Sequence, residues 1–458
     1  MTNIETTKPP WVLPQWQRLQ TATTAATWPE ISFGQWQENT PVALQAAKRR
    51  ISHLEATNRW ELVKKMANPY EMVYTHDDAH FHPSIAIIKP LSRSYFKLIE
   101  ILEVLQFFEK LPKQTPKICT AHIAEGPGGF IQAIVNTTER NRKILEVATA
   151  MTLKPTDYHV PGWKRASTFL HNHQEIRLHY GADGTGDVYQ RANQDSFVGV
   201  SGSYVHLFTA DGGFDFSINY DIQEQKVFNL LVCSATTGLR CLRMNGSFVL
   251  KVFDICSEST MILIGLMGRC FAEWTLYKPA LSRPCNSERY FLGRGFKGLS
   301  PQLLKALYEF QTQVANKLYP TGVANILSLN EISYIHENVR ITTAKQLAAI
   351  EIAEQYAINL EVWYSTQLPI DFQKSLFWCQ TFRVPYTIKR PVNVTRAVYT
   401  SEPNVSLQLR LPDDDSSTLA PSVPSGPALS EDCSGHSLQI ESSQTDVDSR
   451  EKTLVVGL

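Results

Sequence analysis

The chain alternates between short apolar runs and longer stretches with helical spacing. Runs of strand length are followed by segments in which apolar residues recur every three or four positions, and this order repeats along the chain. Strands interleaved with helices predict a doubly wound, mainly parallel α/β sheet whose ligand site lies at the carboxyl ends of the strands. The predicted strands are 118–124, 144–149, 205–210, 247–253, 271–277 and 289–293, and the predicted helices are 91–110 with Ser92 as N-cap, one from 129 onward, 223–243 and 260–270.

One strand-to-helix connection is dense in glycine. The sequence Ala-Glu-Gly-Pro-Gly-Gly-Phe (124–130) ends a predicted strand and opens a predicted helix. Glycine permits backbone torsions that other residues resist and lets a ligand approach the main chain, while a helix start offers free N–H donors. The turn is a candidate seat for a nucleotide-like ligand, although the same residues also occur in ordinary strand-to-helix connections.

Three charged residues occupy the ends or the interior of predicted strands. Asp211 follows the run 205–210 in an Asp-Gly-Gly sequence that is also typical of a plain turn. Lys251 lies inside an apolar strand, where an unpaired ammonium is costly to bury, so it requires a partner or a function. Glu288 precedes the last strand, a position at which a charge most often belongs to an ordinary strand edge.

The composition limits the possible functions without choosing among them. The 458 residues are 43% hydrophobic, enough for one large α/β domain with additions or for two domains. Lys and Arg together number 44, as do Asp and Glu, so a nucleic-acid surface is expected to be a local patch. The eight cysteines include no Cys-x-x-Cys pair, which predicts neither a metal site nor a disulfide framework.

The two ends of the chain differ from its centre at 67–300. We predict an N-terminal arm and helical region over 1–66 and a helical module over 301–400. A disordered, acidic, Ser-rich tail over 411–458 is a candidate site for a protein partner. The sequence has neither a basic-then-apolar leader nor a run of roughly 20 apolar residues, so we expect an intracellular protein, in the nucleus or the cytoplasm, that does not span a membrane.

Four charged residues and their neighbours resemble a known catalytic pattern. Lys97 before the glycine turn, Asp211 in Ala-Asp-Gly-Gly-Phe, Lys251 in Lys-Val-Phe-Asp and Glu288 in Ser-Arg-Pro-x-Asn-Ser-Glu-Arg-Tyr follow the order of a Lys-Asp-Lys-Glu tetrad. This tetrad resembles that of the RrmJ/FtsJ-like RNA ribose 2′-O-methyltransferases, and the likeness is nearest to the mRNA cap methyltransferases of the cap-1 type. Further similar motifs follow in the same order, at 68–72, 124–130, 151–154 and 183–187.

The resemblance implies a Rossmann-like class I methyltransferase fold with S-adenosyl-L-methionine as the methyl donor. It puts the donor across the glycine turn, with its methionine end near Ser92 and its adenine near Asp187. The family's usual aspartate on the first strand is His122 here, so that either Glu125 or another acid takes over recognition of the donor, or the affinity for the donor is lowered. The implied donor contacts are Ser92, Glu125, Gly126, Pro127, Gly128, Gly129, Phe130 and Asp187.

The implied reaction is methyl transfer to the ribose 2′-OH of the first transcribed nucleotide of capped mRNA, from cap 0 to cap 1. Lys251 is expected to activate the hydroxyl. Burial and Lys97 lower the pKa of Lys251, whereas Asp211 and Glu288 raise it, and the sequence leaves the net direction open. The implied contacts of the RNA 5′ end are Asp221, Gln223, Arg283 and Asn286.

Two other functions remain open from the sequence. One is methylation of the ribose 2′-OH in ribosomal or other internal RNA, and the other is a non-catalytic RNA-binding scaffold. A dinucleotide-dependent oxidoreductase is disfavoured, because the turn lacks Gly-x-Gly-x-x-Gly.

Overall fold

The computed structural model describes residues 14–18, 29–37, 39–75, 81, 84–155, 162–213 and 223–388. The predicted tail 411–458, the last part of the predicted module 301–400 and Asp221 lie outside these residues. The described strands are β1 (Gln17–Arg18), β2 (Ser32–Gly34), β3 (Lys117–Ile123), β4 (Ile144–Met151), β5 (Ile176–Leu178), β6 (Val205–Ala210), β7 (Leu242–Val252), β8 (Phe271–Tyr277), β9 (Arg289–Phe296) and β10 (Tyr319–Thr321).

Eight of these strands form one sheet, in the order β1-β8-β9-β7-β6-β3-β4-β5. Within the part β7-β6-β3-β4-β5 of this order, each strand is parallel to the next. Strand β9 is antiparallel to both β7 and β8, and β1 pairs antiparallel with β8 at the edge. The predicted doubly wound, mainly parallel sheet is confirmed, and the reversed strand β9 brings its first residues to the edge where β7 ends.

Helices cover both faces of this sheet. None of the helices in the described part of the chain is long and apolar enough to cross a bilayer. The helices are α1 (Val42–Ala56), α2 (Arg59–Met66), α3 (Ser94–Leu105), α4 (Phe107–Lys110), α5 (Gly129–Arg140), α6 (Ser167–Asn172), α7 (Arg191–Ser201), α8 (Gln223–Cys241), α9 (Glu258–Gly268), α10 (Pro301–Ala315), α11 (Val323–Ile326), α12 (Leu329–Ile358), α13 (Leu360–Val362) and α14 (Leu368–Thr381).

Two predicted strands match the structure at both ends. The predictions 205–210 and 271–277 coincide with β6 and β8. The N-cap prediction for Ser92 is wrong, because α3 begins at Ser94 with Arg93 as N-cap and without a side-chain capping bond. The Ser92 hydroxyl lies 2.6 Å from the Ser94 hydroxyl instead.

Alternate residues along each strand point to opposite faces of the sheet and pack into two different apolar cores. On one face Phe208, Phe248 and Phe291 pack with α8, α9 and α10. On the other face Val249 and Leu292 pack with α3, α5 and α14. Because successive side chains of a strand point to opposite faces, residues 209 and 211 of the β6 segment and residue 251 of β7 belong to the α3 side of the sheet.

Helices from the two ends of the chain share a third apolar cluster. Leu44, Ile51 and Trp60 of α1 and α2 pack with Ile350 of α12 and with Trp363. Cys285, in the loop that precedes β9, is part of the same cluster, and its carbonyl accepts a hydrogen bond from Gln346 Nε2 at 3.1 Å. The terminal helices therefore support the loop that leads into β9.

A buried glutamate joins α3 to the end of β8 and to α14. Glu100 is fully buried and accepts hydrogen bonds from Tyr277 Oη at 2.5 Å, Ala280 N at 2.8 Å and Trp378 Nε1 at 2.7 Å. Burial raises the pKa of Glu100 to about 7, although these donors act in the opposite direction. Glu100, one turn after Lys97 in α3, therefore links this helix to the end of β8 and to α14 through an ionisable side chain.

We predict that Glu100→Gln changes how stability depends on pH. The folded pKa of Glu100 is above its unfolded value, so its contribution is fully present below about pH 4 and is lost as pH rises through 7. The wild-type free energy of unfolding should therefore fall by about 3 kcal/mol relative to that of the variant between pH 4 and 8. Urea unfolding across this range measures the difference, with the exposed Glu351→Gln as control. A pH-independent difference would contradict the prediction.

Candidate active site

Strand register brings Asp211, Lys251 and Tyr290 together at one edge of the sheet. Ala210 pairs with Leu250, so Asp211 leaves β6 beside Lys251 of β7. Lys251 is in turn paired with Tyr290 of β9. Lys251 Nζ lies 3.5 Å from Asp211 Oδ1, and Tyr290 Oη donates a hydrogen bond to the same oxygen at 2.8 Å.

Glu288 connects the two lysines of the predicted tetrad. Its Oε1 lies 2.7 Å from Lys97 Nζ of α3, and its Oε2 lies 3.6 Å from Lys251 Nζ. Lys97, Asp211, Lys251 and Glu288 are each no more than 6% exposed. The structure therefore brings all four predicted residues into one buried chain of ion pairs, in the order Lys97, Glu288, Lys251, Asp211.

The chain of ion pairs shifts the pKa values of Lys251 and Glu288. Burial by itself lowers the pKa of the Lys251 ammonium, but the carboxylates of Asp211 and Glu288 outweigh it and leave the pKa above its ordinary value. Burial raises the pKa of Glu288, yet the ammonium groups of Lys97, Lys251 and Lys278 outweigh it and hold the pKa well below its usual range. Lys251 is consequently an ammonium that can donate hydrogen bonds to an oxygen placed beside it.

The glycine turn lies next to this cluster and is built without room for side chains. Gly128 has a φ of 102°, and α5 begins at Gly129 with its N-terminus facing the strand ends. A methyl group at Gly126 would approach the Gly162 carbonyl oxygen to 2.6 Å, and one at Gly129 would collide with the Ser92 hydroxyl. Gly126 and Gly129 therefore leave no space for a side chain, and the first N–H groups of α5 have no partner within the helix.

The other predicted donor contacts occupy different environments. Phe130 is 1% exposed and packs near Tyr290, with ring centroids 6.0 Å apart. The half-buried Asp187 accepts hydrogen bonds from Tyr189 N at 2.9 Å and from Gln190 Nε2 at 3.1 Å. Glu125 points into the sheet, where His122 Nδ1 lies 3.1 Å from its Oε2. Ser92 is half-buried and lies against Gly129, and Gly126, Gly128 and Gly129 are buried.

Two of the four predicted RNA contacts lie in the loop between β8 and β9. Arg283 binds the buried Glu71 through Nη2 at 2.9 Å and Nε at 3.3 Å. The side chain of Asn286 accepts a hydrogen bond from Lys278 Nζ at 2.8 Å. Gln223 is 8% exposed at the start of α8, and Asp221 lies outside the described residues. Arg283 and Asn286 thus precede Glu288 on the same loop.

Two charged residues that the sequence did not single out as site residues hold this loop. Lys278 Nζ donates to Ser282 Oγ at 2.9 Å and lies 2.9 Å from the Asn286 carbonyl and 2.8 Å from the Glu288 carbonyl. Glu71 lies 3.1 Å from Arg93 Nη1. Burial raises the pKa of Glu71, but the guanidinium groups of Arg93 and Arg283 outweigh burial and lower this pKa to about 2. In the sequence Lys278 is a single lysine after an aromatic strand, which does not mark it as a site residue. Glu71 could have been identified, because it belongs to the Asn-Pro-Tyr-Glu-Met motif.

No group of three or more His, Cys, Asp or Glu side chains in the described ranges is arranged to hold a metal ion. The chemistry of this edge is that of ammonium groups, carboxylates and main-chain donors.

The family comparison agrees with this geometry. Residues 90–296 match the family described as FtsJ-like methyltransferase, and this part of the chain is an FtsJ-like methyltransferase domain. The matched range contains the glycine turn and every member of the Lys97–Glu288–Lys251–Asp211 chain.

Curated relatives carry names that specify a substrate. The chain is 30% identical over 280 residues to a cap-specific mRNA (nucleoside-2′-O-)-methyltransferase 1 of Xenopus laevis, covering 57% of this chain and 30% of the relative. It is 32% identical over 241 residues to a cap-specific mRNA (nucleoside-2′-O-)-methyltransferase 2 of Mus musculus, covering 48% and 30%. A Caenorhabditis elegans methyltransferase 1 of the same description is 35% identical over 247 residues, covering 52% and 26%. The chain thus spans less than a third of the length of these relatives.

A solved structure of a putative ribosomal RNA methyltransferase from Plasmodium falciparum is also similar. It is 16% identical, covers 45% of this chain and 99% of its own, and superposes with a TM-score of 0.31. This score is too low for the likeness to add to the argument from the fold itself.

We predict that Glu288→Gln destabilises the fold and weakens its sensitivity to acid. The variant leaves two buried ammonium groups with one carboxylate, which should cost about 3 kcal/mol at pH 7. Because the folded pKa of Glu288 is below its unfolded value, the wild-type contribution is present above about pH 4.3 and is lost as pH falls. Denaturant unfolding between pH 3 and 8 tests this, with the exposed Glu309→Gln as control. Equal stability of wild type and variant at pH 7 would show that Glu288 does not offset the charges of Lys97 and Lys251.

Proposed function

We propose that the FtsJ-like methyltransferase domain of this chain transfers a methyl group from S-adenosylmethionine to the ribose 2′-OH of the first transcribed nucleotide of capped mRNA. In this reaction cap 0 becomes cap 1, and Lys251 activates the hydroxyl. The observation that carries the proposal is the buried chain of ion pairs Lys97–Glu288–Lys251–Asp211 at the edge of the sheet beside the glycine turn.

The glycine turn suits S-adenosylmethionine, which supplies an electrophilic methyl group on a sulfonium. Gly126, Pro127, Gly128 and Gly129 would hold it through main-chain groups, since they lead into the N-terminus of α5. Ser92 lies against Gly129 and would contact the methionine end. Asp187 would contact the adenine, and Phe130 supports the turn from the core.

Lys251 acts as an ammonium in this proposal. With Asp211 and Glu288 beside it, its pKa is above the ordinary value, so it donates a hydrogen bond to the 2′ oxygen rather than accepting the proton. A donated hydrogen bond in a buried site stabilises the negative charge that develops on this oxygen while its proton passes to solvent. Asp211 and Glu288 hold the ammonium in place, and Lys97 balances the charge of Glu288.

Capped mRNA is proposed as the acceptor on two grounds. The curated relatives are named for the cap-specific reaction, and a loop with Arg283 and Asn286 stands beside Glu288. Gln223 and Asp221 complete the proposed path of the RNA 5′ end. Since the chain spans less than a third of these relatives, the substrate is carried over from them only as a proposal.

We predict that Lys251→Ala lowers methyl transfer to capped RNA by at least about 100-fold, because the group that polarises the hydroxyl is gone. Lys251→Arg keeps the positive charge but not the geometry and should retain more activity than the alanine variant. Transfer of the labelled methyl group from S-adenosylmethionine to a short transcript measures the effect. The exposed Lys305→Ala on α10 serves as a matched control and should be unaffected.

The same assay discriminates the acceptor. Capped transcripts should be methylated at the first nucleotide, and otherwise identical uncapped transcripts should incorporate much less label. Equal incorporation would indicate an internal RNA 2′-O-methyltransferase instead. RNA binding without any binding of S-adenosylmethionine would indicate a non-catalytic scaffold.

A further inference from the structure

A second polar network lies on the same face of the sheet as the proposed catalytic cluster. His122 and Thr209 are 0% exposed and Glu125 is 4% exposed. His122 Nδ1 lies 3.1 Å from Glu125 Oε2 and 2.7 Å from Thr209 Oγ1, and the Thr209 hydroxyl donates to Glu125 Oε1. Thr120 Oγ1 lies 2.8 Å from His122 Nε2. Four polar side chains from β3, β6 and the glycine turn thus bond one another in the interior.

One arrangement of protons gives every member of this network a partner. The Thr120 hydroxyl donates to Nε2 of a neutral His122, and the Nδ1–H of the same ring donates to Glu125. The Thr209 hydroxyl donates to the other Glu125 oxygen. Both oxygens of the carboxylate are therefore engaged, which is what allows such a group to be buried.

The main chain of the glycine turn is held at the same residue. Ala124 has a φ of 57°, which turns the chain out of the strand direction, and the Glu125 carbonyl accepts a hydrogen bond from Gly128 N at 2.6 Å. A residue other than glycine at positive φ is uncommon and needs support from its surroundings. Glu125 provides it, because its carbonyl closes the turn and its carboxylate ties the turn to β3 and β6.

The network also fixes the distance between the turn and the end of β6. Thr209 stands two positions before Asp211 on the same face of the strand. Gly212, directly after Asp211, passes so close to Ala124 that a methyl group on it would come within 2.8 Å of Ala124 Cβ. A shift of Glu125 away from Thr209 would move the turn relative to Asp211.

We propose that Glu125, held by His122 and Thr209, is a positioning residue that fixes the glycine turn against the Asp211 end of β6. It thereby sets the affinity for S-adenosylmethionine. The inference rests on the proposed function, since it assigns a role toward the methyl donor of that reaction. Glu125 acts through the turn, because its carboxylate is enclosed by protein groups and does not face a ligand.

The experiment uses the full-length protein with Thr209→Val, Thr209→Ser and Glu125→Gln. Valine keeps the shape of threonine but removes the hydroxyl, so one Glu125 oxygen loses its donor. We expect the KM for S-adenosylmethionine to rise about tenfold in Thr209→Val and at least as much in Glu125→Gln, with kcat changed less than about threefold. Thr209→Ser restores the hydroxyl and should return KM to near the wild-type value.

Thr237→Val is the matched control. Thr237 is also 0% exposed, but its hydroxyl donates to the Cys233 carbonyl within α8, remote from the turn. Its Tm should fall about as much as that of Thr209→Val, whereas its KM should stay at the wild-type value. Calorimetric titration with S-adenosylhomocysteine provides a readout independent of turnover, and the Kd should follow the same order as KM.

Two results would overturn the inference in distinguishable ways. If the wild type binds the cofactor and Thr209→Val loses only Tm, with KM and Kd unchanged, the network has a structural role alone and the proposed function survives. If the wild type binds neither S-adenosylmethionine nor S-adenosylhomocysteine, the proposed function fails, and the positioning role fails with it.

Discussion

The shared carboxylate of Glu288 is the constraint on which the site depends. Two ammonium groups cannot be buried at one sheet edge unless carboxylates offset their desolvation and their mutual repulsion. Glu288 lies between Lys97 and Lys251, and Asp211 supplies the second negative charge. The four residues come from α3, the loops after β6 and before β9, and β7. The fold must therefore hold these elements at fixed distances before the charges can be accommodated.

The reversed strand β9 meets much of this requirement. A parallel strand would deliver its first residues to the opposite edge of the sheet, whereas the antiparallel β9 begins where β7 ends. Glu288 precedes β9 and so reaches Lys251 directly. Lys278 and Gln346 hold the preceding loop from two sides. The helices at the two ends of the chain consequently contribute to the site by supporting this loop rather than by supplying charges.

Sequence patterns predicted two strands of the sheet with their exact bounds. The runs 205–210 and 271–277 coincide with β6, which is buried throughout, and with β8, whose last four residues are buried. The start of α12 at Leu329 was missed, although Ser328 and Glu331 form a capping box there. The three-residue strand β5 was missed because it is too short to display a period. The N-cap prediction at Ser92 failed because this hydroxyl bonds Ser94 instead.

Some residues of the candidate site could likewise be identified from the sequence, and others could not. Lys251 was identifiable from its sequence, because a lysine inside an apolar strand requires a counter-charge. Lys278 was not, since its role comes from four oxygen atoms that only the folded loop collects. The direction of the Lys251 pKa also required coordinates, because opposing effects of similar size are decided by distances of a few ångströms.

His122 and Glu125, where the sequence differs from the family pattern, are buried polar residues that obey the same physical rule as the tetrad. A buried carboxylate is tolerated when each oxygen has a donor, and here His122 and Thr209 provide one each. An acid that points into the sheet cannot contact a ligand on the turn, so its effect has to pass through main-chain geometry. The proposed function places the charges of the tetrad beside the reacting atoms, whereas the buried Glu125 carboxyl group holds the main chain that would seat the donor. Because Thr209 and Asp211 share one strand face, the two networks constrain each other's positions.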